Sequence, residues 1–115
     1  MKRGTIILNP FPFTDLQGNT VRPAIIISSD KRKGDDVIVA FISSVFDPGR
    51  LQETDFVLRK GEEGFTKAGL KVTSIFKMDK LATIDKAIIL GELGVVSKEI
   101  LQKLDEKLKI ALDLC

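Results

Sequence analysis

Arg22 is the residue of this chain that first asks for a chemical explanation. It precedes Pro23 and heads the apolar run Ala24-Ile25-Ile26-Ile27. A guanidinium is seldom buried without a partner, so either water or an anion must meet it. A later apolar run, residues 36–42, closes on two hydroxyls, Ser43 and Ser44. An arginine beside a hydroxyl suits phosphate, because the guanidinium offers several donors in a planar fork. Spacing alone leaves a second reading open, in which Arg22 is a solvated strand-end charge and the serines a strand terminus. Composition narrows the chemistry further. The chain has no His, and its one Cys is Cys115. A zinc site, a Cys–His dyad and a Ser–His–Asp triad are thereby excluded. Catalysis falls to Arg, Lys, Asp, Glu, Ser or Thr, with no metal and no cofactor expected.

The elements that must position these groups can be read in turn. Residues 5–8 form a first apolar run, closed by Asn9-Pro10 and read as a strand. Residues 15–20 are a turn cluster. Residues 23–28 and 36–42 are strands apolar on both faces, as in a closed barrel or a sheet covered on both sides. Arg22-Pro23 is a strand entrance, because the residue before proline is held extended and proline favours a strand's first position. The polar loop 29–35 makes strands two and three an antiparallel hairpin. With Ser28 set opposite Val37, Arg22 falls opposite Ser43; a slip of one residue would bring Ser44 instead. Further strands are expected at 55–58, 72–77 and 87–90, with a glycine-containing loop over 60–70. From Ser97 the apolar positions Ile100, Leu101, Leu104, Leu108, Ala111 and Leu112 follow helical spacing. Ser97 caps that helix and Glu99 suits its dipole. Strands first and one amphipathic helix last predict a mainly β fold, a strongly bent sheet or barrel with the helix packed on it.

At 115 residues the chain is one domain. Its 43% hydrophobic and 30% charged content fits a soluble globular protein. No apolar run approaches the roughly 18 residues of a membrane span. Ile6-Ile7-Leu8 is too short for a signal-peptide core, so no membrane is involved and a cytoplasmic, disulfide-free protein is expected. A net charge of +2 permits a nucleic-acid partner without requiring one.

The opening Arg3-Gly4-Thr5-Ile6, then FPFTDLQGNTVRPAIIISSD, then VAFISS, then AGLKVTSIFKMDKLATID, and a final helix together resemble the MazF/PemK family of toxin endoribonucleases. The resemblance covers nearly the whole chain in order. RPAIIISSD after a Gly-containing turn is its most specific piece, and ATID after Asp79 supports it. It implies a single domain over residues 1–115, folded as a small SH3-like barrel of the CcdB/PemK/MazF type with a C-terminal helix, and a homodimer. It implies cleavage of single-stranded RNA without a metal, the 2′-hydroxyl attacking phosphorus to leave 2′,3′-cyclic phosphate and 5′-hydroxyl ends. It also implies neutralisation by an antitoxin whose acidic, disordered tail covers the RNA groove. The family's arginine before proline falls on Arg22 and its catalytic threonine on Ser43. A basic residue and an aspartate used in some relatives fall on Lys77 and Asp79. Lys80 and Ala82 replace the Gln and Arg that often follow.

In that light Arg22 is the phosphorane clamp, since it is always protonated. Ser43 is a hydrogen-bond donor to phosphate, Asp79 the base, and Lys77 the acid or a second phosphate contact. Strand alternation sets Lys77 and Asp79 on one face; an exposed ion pair between them is the plainer reading. Candidate RNA contacts are Phe13, Thr14, Asn19, Lys31, Arg32, Ser44, Phe65 and Lys80, with Phe13 and Phe65 as loop-borne stacking rings. Two other functions share these features. One is a toxin of this fold that binds a protein target such as a topoisomerase; the other is a binding module that has lost activity.

Overall fold

The computed structural model describes residues 1–11 and 20–114. Six antiparallel strands form one curled sheet: β1 (Thr5–Phe11), β2 (Thr20–Ile26), β3 (Asp36–Ser43), β4 (Asp55–Leu58), β5 (Ser74–Asp85) and β6 (Gly91–Val95). Their spatial order is β4-β5-β3-β2-β1-β6. A short helix, α1 (Phe65–Ala68), follows β4, and a longer one, α2 (Lys98–Leu112), ends the chain. Among the described residues no helix is long and apolar enough to cross a membrane.

The strands are apolar on both faces because both faces are covered. Ile6, Ile25, Ala40, Ile42, Phe76 and Met78 turn to one side, where they meet Ile100 and Leu104 of α2. Their chain neighbours Ile7, Ala24, Ile26, Val37 and Val39 form a second cluster with Ile84. Alternation along β1, β2 and β3 thus feeds two cores, not a core and a wet face. Leu104 is fully buried, and truncating it to Ala would leave a cavity costing about 2–5 kcal/mol. The α2 boundary follows from its cap: Ser97 Oγ accepts from Ile100 N at 3.2 Å. Arg3 and Asp105 form an ion pair that ties the N-terminus to this helix.

The two sheet edges are brought together by α1. Gly69, at φ 75°, lies so close to β6 that a Cβ there would sit 1.9 Å from the Leu93 carbonyl oxygen. A Cβ on Gly94 would sit 2.3 Å from the Lys67 carbonyl oxygen. Two glycines therefore let the turn after β4 lie backbone to backbone on β6 and close the barrel.

The β2–β3 hairpin has the expected register, with Ala24 opposite Phe41, Ile25 opposite Ala40 and Ile26 opposite Val39. The structure corrects four other expectations. The strand expected over 23–28 with its entrance at Arg22-Pro23 runs instead from Thr20 to Ile26, because its pairing with β1 continues past the proline; β1 likewise runs on through Asn9-Pro10 to Phe11. Residues 86–88 form a 3-10 turn, and the strand expected at 87–90 comes later, as β6. Asp85 sets this turn by accepting from Ala87 N at 2.9 Å. The strand expected at 72–77 is the first part of the longer β5, which serves two partners. Residues 74–77 pair with β4, and residues 75–77 and 81–85 pair with β3.

Candidate active site

Pro23 opens the cleft in which Arg22 lies. Lacking an N–H, proline cannot continue a ladder. The β2–β3 pairing accordingly ends at Ala24 and Phe41, while the β1–β2 pairing runs on through Pro23 and Arg22 to Thr20. The two strands part, and a cavity of about 260 Å³ forms, lined by Arg22, Pro23, Phe41, Ile42, Ser43, Lys77 and Lys80. Arg22 is half-buried. Its Nε is buried with no hydrogen-bond partner among the described residues. That is an expensive place for a donor, and it favours an anion over water as the answer to Arg22.

Ser43, at the end of β3, shares the cleft. Its Oγ accepts from Val45 N at 3.1 Å, which leaves the hydroxyl proton available to a ligand. Lys77 lies opposite Phe41 on β3 and opposite Asp55 on β4. Its Nζ contacts Asp55 Oδ2 at 3.2 Å. Lys80 is exposed and completes the lining. Among the described residues, three cations and a hydroxyl converge here, and no carboxylate lines the cleft. The arrangement suits a phosphodiester and its more highly charged transition state.

Two further cavities adjoin this one. A mostly apolar hollow of about 370 Å³ shares Arg22, Pro23 and Ile42, and adds Leu8, Val21, Leu70, Val72, Leu93 and Ser44 among others. Another, of about 230 Å³, shares Ser43 and Lys77.

The structure divides the expected site residues. Arg22, Ser43, Lys77 and Lys80 come together, and Ser44 lies next door. Asp79 does not join them. Three residues of β5, Met78 to Lys80, bulge between the pairs Ala40–Leu81 and Phe41–Lys77, so alternation fails there. Met78 turns into the core, Asp79 is exposed, and Lys80 rather than Asp79 reaches the cleft. The ion pair of Lys77 is with Asp55, not with Asp79. Phe65 is corrected too. It lies in α1, 6% exposed within the main core, and presents no face for a base. Lys31 and Arg32 are exposed at the opposite end of the β2–β3 hairpin, where Arg32 binds Asp36 at 2.7 Å. Phe13, Thr14 and Asn19 lie outside the described residues. Sequence reasoning missed Asp55 and the place of Phe41 in the cleft. An acid heading the short strand 55–58 was the available signal for Asp55.

A sequence model described as PemK-like, MazF-like toxin of type II toxin-antitoxin system matches residues 2–112. No curated protein matches the chain at a significant level. Several solved structures share the fold. One is an endoribonuclease in complex with its cognate antitoxin from a mycobacterial species, at TM-score 0.76 and 22% identity, covering 100% of this chain and 97% of that one. A MazE-MazF structure from Deinococcus radiodurans gives 0.75 at 14% identity, over 100% and 97%. The Mycobacterium tuberculosis toxin MazF-mt6 gives 0.72 at 19% identity, over 96% and 98%. With the family model spanning the barrel, the Arg22 cleft and α2 alike, the chain belongs to the PemK-like, MazF-like toxins of type II toxin–antitoxin systems.

Proposed function

We propose that the protein is an endoribonuclease that cuts single-stranded RNA at the Arg22 cleft without a metal ion. One observation carries the reading: the half-buried guanidinium of Arg22, its Nε unmet among the described residues, faces a cleft shared with Ser43, Lys77 and Lys80. In the proposed reaction the ribose 2′-oxygen bonds to the adjacent phosphorus and the bond to the 5′-oxygen breaks. The 2′-hydroxyl gives its proton to solvent water in the open cleft, and the departing 5′-oxygen takes one from Lys77. Negative charge on the phosphorane is greatest between these events. Arg22 is placed to hold that charge through its forked donors. Ser43 offers its hydroxyl proton to a phosphate oxygen. Lys77 and Lys80 add positive charge and, in the case of Lys77, a proton for the leaving oxygen. Asp79, exposed and outside the cleft lining, takes no part in these proton transfers. Among the described residues the lining holds three cations and no carboxylate, a charge that favours a phosphate as its ligand.

The same charge suits an acidic, disordered antitoxin segment that imitates the RNA backbone. Val21, Val72 and Leu93 are 47%, 50% and 37% exposed around the adjoining apolar hollow. Covering such side chains by two-fold association supports a homodimer as the working form.

Incubation of the purified protein with mixed single-stranded RNA in EDTA tests the reaction. Products with 2′,3′-cyclic phosphate and 5′-hydroxyl ends are expected. Products with 5′-phosphate ends, or activity restored only by a divalent ion, would overturn it.

A further inference from the structure

We propose that Asp55 is a positioning residue: it holds the ammonium of Lys77 in the cleft and offsets the repulsion among the three cations gathered there. The proposal rests on the ribonuclease reading for its catalytic consequence and on geometry for the rest. Asp55 heads β4 directly opposite Lys77. Its side chain is only 1% exposed. Oδ2 accepts from Gln52 N at 3.0 Å and from Lys77 Nζ at 3.2 Å. Oδ1 is buried and unpartnered among the described residues.

A residue needed only to shape the turn before β4 would not have to be a carboxylate. An Asn or Ser side chain accepts from a backbone N–H just as well, and without the cost of burying a charge. Among the described residues the charge of Asp55 is matched by one cation, Lys77, whose side chain is 24% exposed and lines the cleft. Arg22 and Lys80 line that cleft with it. Like charges in so small a space drive flexible side chains apart, and lysine has four rotatable bonds by which to leave. A buried anion behind Lys77, poorly screened by salt, counters that tendency. Because Asp55 does not itself line the cavity, it makes no direct contact with a phosphate bound there.

Two measurements test this. The first reads the lysine ammonium groups by nitrogen–proton correlation spectroscopy in the cold. The Lys77 signal is expected to be protected from solvent exchange in the wild type and lost in Asp55→Asn. Exchange as fast as that of the exposed Lys60 and Lys71 in the wild type would overturn the proposal, and that observation needs no variant to fold. The second is a double-mutant cycle on RNA cleavage. Asp55→Asn should lower kcat about tenfold with KM within about twofold, the pattern of an interaction felt in the transition state. In a Lys77→Gln background the same change should cost less than about twofold. Equal losses in both backgrounds would make Asp55 merely structural. Should the wild type cut no RNA at all, the ribonuclease reading fails on its own, and the ammonium signal still decides the role of Asp55.

Discussion

Asn9 and Arg22 stand directly opposite each other on β1 and β2, and each has a buried polar atom with no partner among the described residues. These atoms are Oδ1 of Asn9 and Nε of Arg22. The amide nitrogen of Asn9 donates to the Pro10 carbonyl at 3.0 Å. An unmet acceptor and an unmet donor on paired residues each carry a desolvation cost of about 1–3 kcal/mol. Functional sites commonly hold such costs because the ligand removes them.

Arg22→Ala is therefore expected to separate activity from stability. RNA cleavage should fall by about 100- to 1,000-fold, the usual loss on removing a preorganised donor to a developing anion. Thermal stability should stay unchanged or rise by a few degrees, about 1 kcal/mol. Calorimetry beside a cleavage assay checks both, and an Arg22→Ala protein that cuts like the wild type would remove the clamp.

Ser43→Ala should cost less, about tenfold, since one neutral hydroxyl donor to a charged oxygen is lost. Ser43→Thr keeps the hydroxyl and should stay close to the wild type. Single-turnover rates on one defined RNA give the ranking, and a larger loss for Ser43→Ala than for Arg22→Ala would reverse the assigned roles.

Lys80 lines the cleft, whereas Lys31 lies at the far end of the hairpin. Affinity for an uncleavable single-stranded oligonucleotide should fall with salt. The logarithmic slope should become shallower by about 0.7 in Lys80→Gln, one phosphate contact fewer. Lys31→Gln should leave the slope as it is. Fluorescence anisotropy over a salt series measures the two slopes, and identical slopes for wild type and Lys80→Gln would place the backbone elsewhere.

Gly69→Ala and Gly94→Ala address barrel closure. Either methyl meets backbone at 1.9–2.3 Å, which no rotamer relieves. Each change should cost on the order of 3 kcal/mol, from overpacking and, at Gly69, from positive φ as well. Chemical denaturation reads the loss. A near-neutral Gly69→Ala would mean that α1 does not seal β4 to β6.

Residues with a local cause were legible without coordinates. The α2 cap at Ser97 and the strand at 55–58 each follow from local sequence, whereas the strand entrance expected at Arg22-Pro23 lies inside β2, whose pairing with β1 runs on past the proline to Thr20. The hairpin register also emerged, since a polar loop between two apolar runs leaves few ways to pair them. The opening of the cleft was half legible. Proline's missing N–H is a sequence fact, but that the strands part there into a cavity shared with Lys77 and Lys80 is a tertiary one.

What the chain by itself determined was the order of its elements, two strands with no wet face, one amphipathic helix, and an arginine poised before a proline. What only the tertiary structure decided was which charges meet. β5 must pair with β4 and with β3 around a corner, and it turns that corner by bulging at Met78 to Lys80. Period-two alternation cannot survive such a bulge, so Lys80 takes the place expected for Asp79. Likewise Asp55 reaches Lys77 across 22 positions of sequence, and Phe65 is drawn from an expected loop into the core by the closure of α1 on β6. Local propensity acts on near neighbours, whereas ion pairing and burial depend on partners that only the closed barrel brings together.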